Sequence, residues 1–171
     1  MDAFCTAIKL DSSITSAFLG KARTLAKQTD HNNALKAYGD ALARQPDSVE
    51  GLIGAGCTLR DMGEFGEALK TFQHASTLDK NNARLLIYIG DCLVKLGRFE
   101  EADNCFNDAL SLDPDSAEAY FNLAVCYQAK GDFERAAEFH RKALAIEPSL
   151  AQAAYSLSAL GQDPDRSLSI E

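Results

Sequence analysis

Tryptophan is absent from this chain, and glycine supplies only 11 and proline only 4 of its 171 residues. Outside the last ten residues, nothing has the composition that keeps a linker unfolded. Basic residues are also short: 17 Lys and Arg face 25 Asp and Glu, a formal charge of −8. The excess is not even, because Met1 to Ser48 holds 6 basic and 5 acidic residues and the remainder 11 and 20. A phosphate backbone needs a basic stripe to displace its counterions, and no such stripe is present, which excludes a nucleic-acid partner. Long apolar runs are missing too. None is longer than Leu85-Leu86-Ile87-Tyr88-Ile89, far below the ~18 to 20 residues that cross a bilayer, so membrane insertion is not expected. The start, Met1-Asp2, lacks a basic region followed by an apolar one, and the expected address is cytoplasmic. Five cysteines, Cys5, Cys57, Cys92, Cys105 and Cys126, include no C-x-x-C pair, which suits a reducing compartment and excludes a zinc site of the usual spacing.

What the chain does contain is a period. Alanine recurs at 7, 41, 75, 109 and 143 and again at 34, 68, 102 and 136, and a third small series runs Ala22, Gly56, Gly90, Ala124. Each step is 34 residues with no insertion, the mark of a tandem array. Bulky series lie between the small ones: Phe65, Phe99, Phe133; Tyr38, Phe72, Phe106; and Phe18, Leu52, Leu86, Tyr120. Large side chains set beside small ones let helices approach closely without voids. Gly63, Gly97 and Gly131 interrupt each unit near its middle, where a left-handed residue ends one helix before the next. Each unit thus reads as a helical hairpin. At the junctions Ser13, Asp47, Asn81, Asp115 and Ser149 are expected N-caps, with Pro46, Pro114 and Pro148 one residue earlier stopping the preceding helix. Lys80 stands in the proline's place once, and that junction is expected to be looser.

The unit resembles the tetratricopeptide repeat. In its clearest copy Tyr120, Leu123, Ala124, Tyr127, Gly131, Phe133, Ala136, Ala143 and Pro148 occupy the family's signature places. The register divides the chain into a partial unit (1–14), a divergent unit (15–48), three regular ones (49–82, 83–116, 117–150), a capping helix (151–161) and a polar tail (162–171). The divergent unit has Lys21 for an aliphatic residue, and Thr29 and His31 where Gly and an aromatic are usual. The resemblance implies an all-α fold, a right-handed α-solenoid of tandem helical hairpins whose first helices line a concave groove.

No catalytic constellation is present, so no enzyme activity is expected, and no cofactor or metal. His31, His74 and His140 fall at three different places in their units, and Gly51, Gly54 and Gly56 lack the strand and the Lys-Ser/Thr of a phosphate loop. The acidic residues between Glu100 and Asp115 read as solvated faces and a cap. Cys92 and Cys126, equivalent residues of adjacent first helices, are expected to be buried thiols. The resemblance also implies what to seek in the groove. The carboxylate clamp that grips chaperone tails would fall on Leu19, Arg23, Gly54, Arg84 and Tyr88, or one unit later on Ile53, Cys57, Tyr88, Glu118 and Asn122, and neither set rebuilds it. The asparagine ladder of O-linked sugar transferases keeps only Asn122.

The expected function is therefore protein–protein interaction, as an adaptor or scaffold holding a partner peptide or helix. The alternative is a recruitment domain of a larger glycosyl- or sulfotransferase. The residue after each packed position, ~100° round the first helix, should face the groove: Leu19, Ile53, Ile87 and Phe121, all apolar. Arg23, Cys57, Arg60, Arg84, Tyr88, Asp91, Asn122 and Val125 complete the expected partner surface. Gly54 is expected to leave room at its floor. The bland reading of the apolar series is that it fills the space between adjacent first helices. Whether Phe4 and Ile8 pack inward, support self-association through the N-terminal half-unit, or mark a cut stays open.

Overall fold

A computed structural model describes residues 2–161, with side chains from residue 13 onward. Phe4, Ile8 and the 162–171 tail fall outside what it describes of side chains. Among the described residues there are nine helices and no strand: α1 (Asp2–Lys27), α2 (His31–Arg44), α3 (Val49–Asp61), α4 (Phe65–Leu78), α5 (Ala83–Lys95), α6 (Phe99–Leu112), α7 (Ala117–Ala129), α8 (Phe133–Ile146) and α9 (Ala151–Gly161). The all-α class and the hairpin array are as the period indicates. Contacts divide the chain into two compact units, Met1–Asn81 with α1 to α4 and Asn82–Glu171 with α5 to α9.

Each hairpin is closed by the same device. Gly63, Gly97 and Gly131 have φ of 82°, 74° and 80°. The amide of the next residue reaches back to a carbonyl of the last helical turn, as Glu64 to Leu59 at 2.9 Å, Arg98 to Leu93 at 2.9 Å and Asp132 to Tyr127 at 2.9 Å. This bond spares orphan carbonyls at the helix end, and the left-handed residue it needs favours glycine. In the first hairpin Thr29 does the same with φ 60°, and Asp30 donates to the Leu25 carbonyl at 3.0 Å. The turn survives there, at the cost of a β-branched residue in left-handed backbone.

Two expectations about boundaries are corrected. α1 runs unbroken through Ser13, which is no N-cap; Ser12 stands where later units have proline, so nothing stops the helix. At the next three junctions the caps lie one residue later than expected, and at the last Ser149 stays in the turn, two residues before α9 begins at Ala151. Ser48, Asn82 and Ser116 accept from the amides of Gly51, Leu85 and Ala119 at 3.2, 3.2 and 3.3 Å, while Asp47, Asn81 and Asp115 remain in the connecting turn. The Lys80 junction keeps the backbone of the others without their proline. Asp79, at ψ 84°, has the conformation of Gln45, Asp113 and Glu147, the residues before the prolines, at 83°, 87° and 89°.

Packing inside the hairpins follows the small and large series. Ala34, Ala41, Ala68, Ala75, Ala102, Ala109, Ala136 and Ala143 are fully buried, as are Phe72 and Phe106. A Cβ on Gly56 would meet the ring of Phe72, and one on Gly90 the ring of Phe106, each at 2.5 Å.

Candidate functional site

In the first unit α1 packs against both α2 and α3. Arg23 on α1 and Glu50 on α3 bridge the two helices at 2.9 Å, with side chains 60% and 58% exposed. Beneath them Tyr38 of α2 is buried. Its ring lies over Gly54, where any Cβ would collide with it. The space expected at Gly54 is therefore filled from α2, whereas Gly20 has no atom within 4 Å of its Cβ direction. Burial raises the Tyr38 phenol above its ordinary value, with Cys57 adding to the rise, Arg23 opposing it and Glu50 adding. These four residues thus form one neighbourhood. Leu19 is buried, 6% exposed, and lies 3.4 Å from where a Cβ on Gly51 of α3 would stand. Ile53, Cys57 and Arg60 are half-buried, and Arg60 pairs with Asp61 at 3.3 Å.

In the second unit α5 and α7 are adjacent. Ile87 is 3% exposed, so it offers no surface, like Leu19. The apolar series is thus not one stripe: Leu19 and Ile87 are core, and Ile53 and Phe121 remain half-buried. Tyr88 and Asp91 on α5, with Phe121, Asn122 and Val125 on α7, are all half-buried, and Arg84 is exposed. Tyr88 and Asn122 are repeat equivalents, as are Asp91 and Val125, so the two helices present these pairs at the same register.

On α8 lies a feature the sequence reading missed. Phe139 stacks on Tyr127 at 5.4 Å and on Tyr120 at 6.3 Å. Arg135 donates to the Tyr127 hydroxyl at 3.3 Å, and Lys130 and Lys142 sit over rings of Tyr127 and Phe139 at 5.2 and 5.0 Å. The signal was aromatics at 120, 127 and 139 where earlier units have Leu86, Leu93 and Cys105. Each cation also meets a carboxylate: Lys130 with Glu100 at 3.7 Å, Arg135 with Asp132 at 3.6 Å, Lys142 with Glu138 at 2.7 Å. The patch is charge-balanced and braces the hairpin.

Cys92 and Cys126 are buried and not disulfide-bonded. Cys126 donates to the Phe99 carbonyl at 3.6 Å, and burial pushes its thiol up to about 11. Among the described residues no group of three or more His, Cys, Asp or Glu is placed to hold a metal ion, and no helix is long and apolar enough to cross a membrane.

Family patterns described as tetratricopeptide repeat match residues 81–149, 53–102 and 16–48. No curated protein matches the sequence. Among solved structures, a thermophilic TPR protein of Thermus thermophilus superposes with a TM-score of 0.75 at 24% identity, over 92% of this chain and 86% of that one. MamA of Desulfovibrio magneticus RS-1 gives 0.75 at 18%, over 86% and 84%. The type III secretion translocator chaperone SycD of Yersinia enterocolitica gives 0.63 at 20%, over 67% and 92%. At these identities the likeness concerns the fold.

Proposed function

We propose that this chain, which belongs to the tetratricopeptide repeat family, is a non-catalytic adaptor that holds a segment of a partner protein on its first helices. The observation that carries this is the face of α5 and α7, where Tyr88, Asp91, Phe121, Asn122 and Val125 are all half-buried on neighbouring helices. Half-buried side chains on rigid helices can contact a ligand without reordering, which lowers the entropic cost of binding. The Arg23–Glu50 bridge and half-buried Ile53 and Cys57 offer a second such face in the first unit. Apolar positions would supply affinity there, and the charges Arg23, Glu50, Arg84, Asp91 and Glu118 would set register. A chaperone for a secreted translocator among the similar structures agrees with a protein-holding role. We place the chain in the cytoplasm, in keeping with thiols at Cys57, Cys92, Cys105 and Cys126 that form no disulfide.

The test is selection of a random peptide library on the full chain, followed by affinity measurement on variants. Val125→Glu or Tyr88→Ala should weaken the selected peptides at least about tenfold, the cost of one lost anchor, and Lys70→Glu on α4 should leave them unchanged. Peptides indifferent to the first two substitutions, or no selected peptide at all, would overturn this reading.

A further inference from the structure

His140 is the least expected residue in the core. It takes the repeat place of Tyr38, Phe72 and Phe106, yet it is a titratable ring with no solvent exposure. Neither ring nitrogen has a hydrogen-bond partner among the described residues. A neutral imidazole carries one N–H donor and one acceptor, and leaving both unmatched in the interior is costly. Shape explains its presence. Gly56 faces Phe72 and Gly90 faces Phe106, but the equivalent of those glycines here is Ala124. A methyl is gained on α7 and a smaller ring sits on α8, so the volume is kept.

One side of the ring meets α7, and by register the other faces α9. From α7 the Phe121 ring meets it at 5.6 Å, tilted 53°. α9 packs on α8, and the repeat register sets it over the other side of the ring. The register shows how: Tyr38 lies against Gly54 of the following first helix, and the residue matching Gly54 beyond α8 is Ser156 of α9, half-buried. α9 is the weakest-held element of its unit. It has 11 residues, only Ala153 and Leu160 buried, and no hairpin partner among the described residues. A helix of that length does not stand alone in water.

No charge is placed to accept a proton's company. α9 carries no charged residue, and its Tyr155 is 78% exposed. On α7, Glu118 lies in the first turn, and Lys130 at the C-cap is engaged with Glu100 and Tyr127; Tyr120, Tyr127 and Cys126 are its other titratable groups. On α8 itself Arg135 is engaged with Asp132 and Tyr127 and Lys142 with Glu138, leaving Glu134 and Arg141 exposed. Burial alone holds the imidazole below the ordinary value of 6.5.

We infer that His140 is a proton-gated latch: proton uptake by its buried ring undocks α9 from α8. The proton comes from solvent and returns to it; the one bond made on uptake and broken on release is an imidazole N–H. Since the docked state binds the proton less readily than the undocked one, undocking gains as pH falls below 6.5 and the bias disappears above it. Undocking would bare the apolar face of α8 that Ala137 and His140 now share with the core.

Amide exchange of the full chain, expressed as protection relative to intrinsic rates, tests this at pH 7.5 and 5.5. Protection across α9 should fall about tenfold between the two, the change in proton occupancy of an ordinary histidine, while α2 and α3 stay constant. His140→Leu should remove the difference. As a second variant, Ala124→Gly with His140→Phe rebuilds the Gly90–Phe106 pair and should remove it too. Constant α9 protection in the wild-type chain, or the same tenfold loss in either folded variant, would overturn the latch.

Discussion

The ring of Phe72 stands 2.5 Å from the point where a Cβ on Gly56 would have to lie. An interior glycine ordinarily costs a helix ~1 kcal/mol against alanine, so the small residue here is not a matter of propensity. It is the surface on which the fully buried ring rests.

Gly56→Ala should therefore destabilise the chain by about 1 kcal/mol or more, since overpacking a tight contact costs ~1 to 3 kcal/mol and the propensity gain offsets only part of it. Gly39→Ala, in α2 with nothing within 4 Å, should stabilise by up to ~1 kcal/mol. Urea denaturation of both variants gives the comparison, and equal signs would show that Phe72 yields at small cost.

Much of this packing was legible, because a 34-residue period forces each small residue to meet the same bulky neighbour in every unit. What escaped was whatever breaks the equivalence. Tyr38 has Ala22 at the place of Gly56, and its ring goes instead to Gly54 of the next first helix. Leu19 and Ile53 share one repeat place, yet Leu19 is buried and Ile53 half-buried. A period cannot separate residues whose surroundings differ from one unit to the next. The continuity of α1 is visible in Ser12, where the stopping proline is missing, although Ser13 itself has the chemistry of a cap.

Thr29 is the one described non-glycine residue with positive φ. Thr29→Gly should raise stability by ~1 kcal/mol, the cost of holding a residue with a Cβ in left-handed backbone. The reverse change, Gly97→Thr, should lower it by at least as much. Thermal melts of the two should move in opposite directions.

Thiol reactivity should follow burial. With its value near 11, Cys126 is ionised in only roughly one molecule in a thousand at pH 8, and the thiolate is the reacting species. Iodoacetamide under native conditions should label half-buried Cys57 well before Cys126. Equal labelling of the two by mass spectrometry would mean that the second unit opens faster than reagent attacks.

Arg23 and Glu50 tie α1 to α3 at 2.9 Å, but both side chains are more than half exposed. Such pairs contribute ~0.2 to 1 kcal/mol and weaken with salt. A double-mutant cycle with Arg23→Gln and Glu50→Gln should return a coupling in that range at low salt and near zero in 1 M salt. Coupling that persisted in salt would mark the pair as structural and not as a contact free to exchange with a ligand's charge.

Ile53 and Ile87 are the sharpest discriminating pair, since they occupy the same repeat place in consecutive units and differ in exposure. Ile87 has 3% of its surface exposed. A carboxylate there loses its hydration without gaining a partner, so Ile87→Glu should cost ~3 kcal/mol or more and lower the melting midpoint by many degrees. Ile53 is half-buried, and a glutamate there can turn its head group to water, keeping the loss near ~1 kcal/mol. Circular dichroism melts of the two single variants decide the matter. If both unfold alike, Ile53 belongs to the core and the first-unit surface reduces to its charged and polar members. If Ile53→Glu stays folded and loses the selected peptides, the apolar contact of that surface is Ile53.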